Sequence, residues 1–400
     1  MAPRRPDKKS KKRDKAAISR AAGGTSKPVT PEVLVKAAEY QLQAGNVQDA
    51  LTLAEKALEQ SSAGSGSDDE LAALNLLGQI SLEAGEFEAA RAYFLRAVAI
   101  DGDGTRDEAA GGGPEKFLCL AQLSEEGGKD SVTWFERGAA ALRKQIQTLE
   151  GARRRTDEQA VQLDELKKKL AMTLCSVAEV YMTDLSWEDD AEPRCEALVT
   201  EATLVAPDFA ETWQTLANVR ISQARFDDAK AALTRSLELW KDLPPQDPAV
   251  PDFPSRVALA RLLMEVEMEQ EAIEVLERLV GEDDESVEVW YLGGWGLYVM
   301  GEKQKKETDK ADGKGGGGGG GSSSSEEDWK ASWISSRVWL NQCQHLYQLQ
   351  DYEDERLGEH AQELLGLIAK ELGEAPAGED EDEDEDWEDE EDGSDEEMKD

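Results

Sequence analysis

Residues 213–237 read WQTLANVRISQARFDDAKAALTRSL, and this stretch decides the fold. Its apolar residues recur at the spacing of three and four that is typical of amphipathic helices. Two small residues, Ala217 and Ala229, stand twelve positions apart, where the two helices of a pair would cross closely. The stretch therefore predicts a helical pair that needs a neighbouring pair to bury its apolar faces.

The same spacing recurs along the chain in units of about forty residues. The small residues twelve apart are Ala38/Ala50, Gly78/Ala90, Ala217/Ala229 and Ala260/Ala272. Other positions keep this register, with Gly45, Gly85 and Ala224 at the turn, Val47, Phe87 and Phe226 two residues later, and Ala57, Ala97 and Ser236 on the second helix. A register shared by several kinds of position predicts a repeat architecture.

The best unit carries the residues of a known consensus, namely Trp213, Leu216, Ala217, Phe226, Ala229, Leu233 and Leu237. With these residues it resembles the tetratricopeptide repeat, and the chain is identified as a member of that family. The resemblance implies an all-α fold, a right-handed superhelical solenoid of about seven tetratricopeptide-like helix pairs with a C-terminal capping helix.

The composition of the segments predicts the domain boundaries. We expect a disordered basic leader over 1–29, the solenoid over 30–372 and a disordered acidic tail over 373–400. Residues 142–170 are charged and helix-forming, so they are expected to lengthen the helices on either side. The Lys-, Gly- and Ser-rich stretch 302–328 is predicted to be a disordered insert between a helix over 287–300 and another that resumes at Trp329.

The charge of the chain is strongly negative, with 45 Lys and Arg against 86 Asp and Glu and a formal net charge of −41. Residues 1–27 are basic, whereas 379–400 are almost wholly acidic, and the segment between them keeps an excess of acid. Such a surface argues against direct binding of nucleic acid and favours a basic protein partner.

Signs of catalysis, metal binding and membrane insertion are missing from the sequence. Its four cysteines, Cys119, Cys175, Cys195 and Cys343, have no metal-ligand spacing and are expected to be reduced thiols in the core. We expect no enzymatic activity, no cofactor and no metal. No apolar run approaches the roughly 18 residues of a membrane span, and no apolar stretch follows the basic start, so the protein is expected to be intracellular.

In a tetratricopeptide solenoid the inner surface is lined by the first helix of each pair, at positions between its packing residues. In the register of Trp213 these positions hold Glu39, Asn75, Gln79, Gln122, Glu125, Glu179, Glu211, Gln214, Asn218, Glu288, Tyr291, Trp295 and Tyr298. Carboxylates can pair with Lys and Arg, amides can bond to an extended backbone, and aromatic faces can stack on guanidinium groups. The lining therefore predicts binding of an extended basic segment.

The basic leader contains a candidate nuclear-import signal, Lys8, Lys9, Lys11, Lys12 and Arg13, which an import receptor would bind. Together with the solenoid and the acidic tail, it resembles the dedicated assembly chaperones of large-subunit ribosomal protein L four in eukaryotes. The resemblance implies that the concave groove captures the extended basic internal loop of that newly made protein in a one-to-one complex. It also implies delivery from the cytoplasm to ribosome assembly in the nucleus.

Two other functions remain open from the sequence. A co-chaperone that clamps the acidic tails of heat-shock proteins would need inward Lys and Arg, and only Arg220 and Arg261 lie near the inner face. A tetratricopeptide scaffold in a transcription or RNA-processing assembly would use the outer ridges and would need no acidic groove.

Overall fold

The computed structural model describes residues 29–61, 64, 66–152, 154–312 and 322–373. Within them the regular structure is helical, with fifteen α-helices and one short 3-10 helix, Glu108–Ala110. The α-helices are α1 Pro31–Gln43, α2 Val47–Gln60, α3 Asp68–Glu83, α4 Phe87–Ile100, α5 Glu115–Gln122, α6 Gly128–Glu150, α7 Asp157–Met182, α8 Ala191–Val205, α9 Ala210–Ser222, α10 Phe226–Glu238, α11 Phe253–Glu265, α12 Glu269–Val280, α13 Val287–Asp312, α14 Ser322–Leu349 and α15 Glu355–Leu372. The chain forms two compact units, Met1–Ser255 and Arg256–Asp400.

Unit 1 consists of five helical pairs, in which each odd-numbered helix from α1 to α9 packs on the helix that follows it. The small residues twelve apart lie where the helices of a pair meet, and Ala38, Ala50, Ala217 and Ala229 are fully buried there. Gly78 faces the ring of Phe94 so closely that a methyl group would not fit. The prediction of an all-α fold made of tetratricopeptide-like pairs is thus confirmed.

The turns between paired helices follow the predicted register. Gly45 and Gly85 have φ angles of +77° and +73°, and Ala224 has a φ of +56° at the equivalent position. A positive φ reverses the chain sharply, and glycine adopts it without the steric penalty of a side chain. The second helix then begins two residues later in each unit, at Val47, Phe87 or Phe226.

The charged stretch 142–170 lengthens the helices on either side, as predicted. Helix α6 continues to Glu150 and α7 begins at Asp157, after a capping box in which Thr156 and Gln159 bond to each other's backbone amides. The extended parts meet through a buried apolar cluster that includes Leu142, Leu163 and Leu170. This cluster supplies the burial that holds two unusually long helices together.

A loop over 101–114 joins α4 to α5 and is fixed at its base by a buried ion pair. Lys116 Nζ lies 2.7 Å from Asp101 Oδ2 and donates to the Gly113 carbonyl at 2.6 Å, and its side chain is 0% exposed. Burial lowers the pKa of Lys116, although Asp101 opposes the shift. Burial also acts to raise the pKa of Asp101, but Lys116 and the amides of Thr105 and Arg106 hold it below its ordinary value.

Unit 2 contains most of α11, then α12 to α15. Ala260 and Ala272 are fully buried, and α13 packs along α14 with α15 against both. The contact is close because α13 has no side chain at Gly293 and Gly294, where Trp339 and Leu340 of α14 fill the space. Helix α15, N-capped by Asp354, buries Leu364 and Ile368 and occupies the predicted capping position.

The insert predicted over 302–328 differs from the structure at both ends. Residues 302–312 continue α13, and 322–328 form the first turns of α14, while 313–321 lie outside the described residues. The reason lies in contacts that the Lys-rich composition concealed. Lys305 Nζ stands about 5 Å over the rings of Trp329 and Trp333 and lies 2.6 Å from Glu371, and Ser332 bonds to Gln304.

Two further predictions concern the core and the membrane. Cys175, Cys195 and Cys343 are buried as reduced thiols, and Cys119 is half-buried. Burial raises the pKa of Cys119 to about 11 and that of Cys343 to about 12, so these thiols are poor nucleophiles. Among the described residues, every helix is too short or too polar to cross a bilayer.

Candidate partner-binding faces

Two neighbouring pairs of first helices contact each other in unit 1, namely α1 with α3 and α7 with α9. Their side chains between the packing positions therefore share a surface, which we call the inner face of unit 1. In unit 2 the corresponding surface belongs to α11 and α13. The predicted partner-binding residues can be placed on these surfaces helix by helix.

Most of the predicted residues lie on first helices. Glu39 is on α1, Asn75 and Gln79 on α3, Gln122 on α5, Glu179 on α7, Glu211, Gln214 and Asn218 on α9, and Glu288, Tyr291, Trp295 and Tyr298 on α13. Glu125 is different, because α5 ends at Gln122 and leaves Glu125 exposed in the following turn. The short α5, only eight residues long, was not foreseen from the register.

Two carboxylates on α7 and α9 form the most distinctive part of the inner face. Partial burial of the carboxylate raises the pKa of Glu179, although the residue as a whole is exposed, and that of the half-buried Glu211, where the nearby Asp252 adds to the shift. Both approach Cys175, whose pKa burial raises to about 12 with a further contribution from their negative charges. Within the described chain neither carboxylate has an ion-pair partner. A hydrogen bond with its own backbone and the charge of Lys168 offset the raised pKa of Glu211 only in part.

The physical meaning of these shifts is a carboxylate that has lost part of its hydration without gaining a counter-charge. Glu39 on α1 shows the same effect, since burial raises its pKa and Lys36 opposes the shift only weakly. A cationic group placed on these residues would restore the lost stabilisation. The inner face of unit 1 is therefore suited to bind cations.

The predicted amides occupy several different environments. Asn75 on α3 donates its Nδ2 hydrogen to the carbonyl of Gly111, so the chain's own loop 101–114 rests on the inner face there. Gln214 is buried and donates a long hydrogen bond of 3.5 Å to Ser236 Oγ, so it serves the contact between α9 and α10. Gln79 and Gln122 are exposed and Asn218 is half-buried. Contact of these amides with a partner stays a prediction.

The aromatic residues of α13 form an ordered group with α15. Tyr291 Oη and His360 Nδ1 are hydrogen-bonded at 2.7 Å, and the His360 ring meets Trp295 edge-on at 5.8 Å. Tyr291 and Trp295 are 6.0 Å apart at a tilt of 31°. Trp295 remains 36% exposed, so one side of its ring is open for contact.

Two other predicted residues of α13 are already engaged within unit 2. Tyr298 stacks on Trp333 with centroids 5.3 Å apart and an interplanar angle of 3°, and its carbonyl accepts from the Trp333 indole. Glu288 pairs with Arg261 at 2.6 Å. Trp290 packs on Trp339 and donates to the carbonyl of Asp284, as Trp213 does to that of Pro207.

The sequence did not single out the residues that complete the aromatic surface. Met264 and Glu265 of α11, together with Leu292 and Val299 of α13, line a groove of about 510 Å³ beside Trp295. His360 could not be singled out from the sequence, because its contact with Tyr291 spans 69 residues of sequence. A periodic pattern on one helix does not reveal which distant helix supports it.

Some predictions lie beyond the described residues. The candidate import signal, Lys8 to Arg13, and the acidic tail over 379–400 both lie outside them. Among the residues that the structure does describe, no three His, Cys, Asp or Glu side chains are grouped so as to hold a metal ion.

Comparison with known proteins extends these observations. A family model described as Tetratricopeptide repeat matches residues 29–102. A protein of Emericella nidulans named probable assembly chaperone of rpl4 is 49% identical over 375 residues, which cover 92% of this chain and 90% of that protein. A protein of the same name from Schizosaccharomyces pombe is 33% identical over 342 residues, 85% of this chain and 90% of its own.

A solved structure is also similar. It is described as the assembly chaperone of RpL4, residues 1–338, and matches with a TM-score of 0.66 and 55% sequence identity. The match covers 70% of this chain and all of that one.

Proposed function

This chain belongs to the family of probable assembly chaperones of rpl4, and from that premise we propose that it binds an extended basic segment of this ribosomal protein. The complex keeps the newly made protein soluble until it joins the assembling large ribosomal subunit. The chain acts by binding alone, without catalysis. The inner face of unit 1 supplies the main cationic contacts.

The observation that carries this proposal is the state of Glu179 and Glu211. Partial burial of each carboxylate raises its pKa, and no cation of the described chain pairs with either. Some other carboxylates of unit 1 do have a cationic partner, such as Glu188 with Lys129 at 2.6 Å. A Lys or Arg of the partner would provide the missing counter-charge at the inner face.

The structure favours this function over the clamp for acidic tails. That clamp needs free cations on the inner face, and the two candidates are both neutralised by acids. Arg220 pairs with Glu196, and Arg261 pairs with Glu288. A scaffold that uses the outer ridges would not explain why Glu179 and Glu211 are partly buried without a counter-charge.

Binding of a basic peptide from the rpl4 internal loop tests the proposal by titration calorimetry. We expect Glu179→Gln with Glu211→Gln to weaken binding about tenfold at low salt, because partly desolvated carboxylates bind cations more strongly than exposed ones do. Glu165→Gln removes a single carboxylate charge from an exposed position of α7 without an ion pair, and it should change affinity less than about twofold. Equal losses in the double variant and the control would contradict the proposal.

The terminal segments complete the proposed pathway. We propose that Lys8, Lys9, Lys11, Lys12 and Arg13 bind an import receptor and carry a one-to-one complex from the cytoplasm into the nucleus. Replacing these five residues by Ala should leave rpl4 binding intact but hold a fluorescent fusion in the cytoplasm. Removing 379–400 should reduce protection of rpl4 from aggregation only in part, since the inner face still binds.

A further inference from the structure

The groove beside Trp295 in unit 2, which we call the Trp295 groove, has a volume of about 510 Å³. Its apolar wall comes from Met264 on α11 and from Leu292 and Val299 on α13. Both helices are first helices of their pairs. Trp295 also lines the groove and is 36% exposed.

The indole of Trp295 is held in place before any partner arrives. His360 of α15 meets the indole edge-on, and the same histidine is hydrogen-bonded to Tyr291, which lies beside Trp295 on α13. An aromatic surface fixed in this way loses little conformational entropy on binding. Tyr291 also lines the groove, and Trp295 remains 36% exposed, so part of the supported ring is accessible to a ligand.

The charged residues around the groove differ in whether they have an ion-pair partner within the chain. Arg261 is neutralised by Glu288 at 2.6 Å, and Glu269 by Lys303 at 2.7 Å. Glu265 also lines the groove, and within the described chain it has no recorded ion pair or hydrogen bond of its side chain. The charge left for a ligand is therefore a single negative one.

We propose that the Trp295 groove binds one arginine side chain of the basic partner segment. This inference rests on the proposed function and names the residue type that the segment places here. The guanidinium plane stacks on the indole and donates to Glu265, and the aliphatic stem covers Met264 and Val299. A lysine fits less well, because its compact ammonium is strongly hydrated and has no plane to stack.

Two short peptides test the proposal with the full chain. One alternates glycine and lysine, and the other is identical except for a single central arginine, so both carry the same charge. Fluorescence anisotropy of labelled peptides gives the ratio of their affinities. We expect the arginine peptide to bind about fivefold more tightly to the unmodified protein, the size of one well-placed stacking contact.

Three variants decide whether this preference belongs to the groove. Trp295→Ala should reduce the ratio to about one, since it removes the stacking contact, and Glu265→Gln should reduce it to roughly twofold, since the guanidinium loses the acceptor that orients it on the indole. Trp187→Ala removes an indole that is 73% exposed in the turn between α7 and α8, and it should leave the ratio unchanged. If Trp295→Ala lowers the helical circular dichroism, Glu265→Gln alone decides, because this exposed side chain has no recorded packing role.

The outcomes separate this inference from the proposed function. No preference for arginine in the unmodified protein, or an undiminished preference in Glu265→Gln, would overturn the inference while binding of the rpl4 peptide could persist. Conversely, a groove-dependent preference for arginine in a chain that does not bind rpl4 would leave the groove chemistry standing and overturn only the proposed partner.

Discussion

Two regions of the inner face of unit 1 both lie on first helices of the repeat. They differ in whether their polar side chains have a bonding partner within the chain. On α3, Asn75 is bonded to Gly111 of the loop 101–114, which is fixed by the buried pair of Lys116 and Asp101. On α7 and α9, Glu179 and Glu211 are partly desolvated and lack a counter-charge within the described chain. The chain itself covers the first region, whereas under the proposed function the partner covers the second.

The largest expected effect is a loss of stability when the buried ion pair that anchors the loop 101–114 is broken. Lys116→Met leaves Asp101 buried without its counter-ion, which typically destabilises a fold by about 3–5 kcal/mol. Urea denaturation followed by circular dichroism should show unit 1 unfolding at much lower urea. Lys129→Ala, which breaks an exposed pair with Glu188, should leave the transition nearly unchanged. A comparable effect of both variants would show that the buried pair is not the anchor.

A smaller effect is expected from releasing the loop without touching its anchor. A methyl group at Gly112 would collide with the backbone carbonyl of Arg106, so Gly112→Ala should open the loop and accelerate tryptic cleavage after Arg106 roughly fivefold. Gly102→Ala is the matched control, because its added methyl would meet only the Val98 carbonyl at an ordinary 3.7 Å. Equal cleavage of both variants would mean that the loop is not held by close packing.

The smallest expected effect is a gain in stability, and it concerns Glu179 and Glu211. Because the folded pKa of Glu179 and Glu211 is raised above 4.5, their ionised forms oppose folding at neutral pH. Replacing both by Gln should therefore raise the melting temperature at pH 7.5 by about 1–2 °C, allowing for solvent screening. The gain should shrink as the pH falls through the raised folded pKa and vanish below 4.5, where both states are protonated.

The control for this prediction is Glu165→Gln, for which no change in melting temperature is expected at either pH. If the double variant lowered the melting temperature at pH 7.5, the two carboxylates would have unseen partners. The combination of higher stability and weaker binding of the rpl4 peptide is the distinctive signature of residues kept for a partner.

The local features of the fold were predictable from the sequence because they repeat. The buried small residues at Ala217 and Ala229, the positive φ at Ala224 and the helix start at Phe226 follow from one register. The long α6 and α7 followed from an uninterrupted helix-forming stretch. The match to the family of rpl4 assembly chaperones likewise agrees with the architecture and charge of the chain.

Features that depend on contacts between distant residues could not be read from the repeat. Lys116 looks like a surface lysine in the sequence, and only the folded loop reveals Asp101 beside it. The helical segments 302–312 and 322–328 were not predicted, because the aromatic rings of α14 that contact Lys305 are visible only in the fold. The register placed Asn75 and Glu179 on the same face. It could not show that Asn75 is bonded to the chain's own loop while Glu179 has no counter-charge.

The resting place of the loop 101–114 on α3 gives the inner face an end. A repeat surface offers similar positions at regular intervals, so a basic chain could bind it in several alignments shifted by one unit. The loop breaks this regularity at Asn75, because its own backbone takes the hydrogen bond that this position would otherwise offer to a guest. Alignments that need this position are therefore less favourable than those that do not.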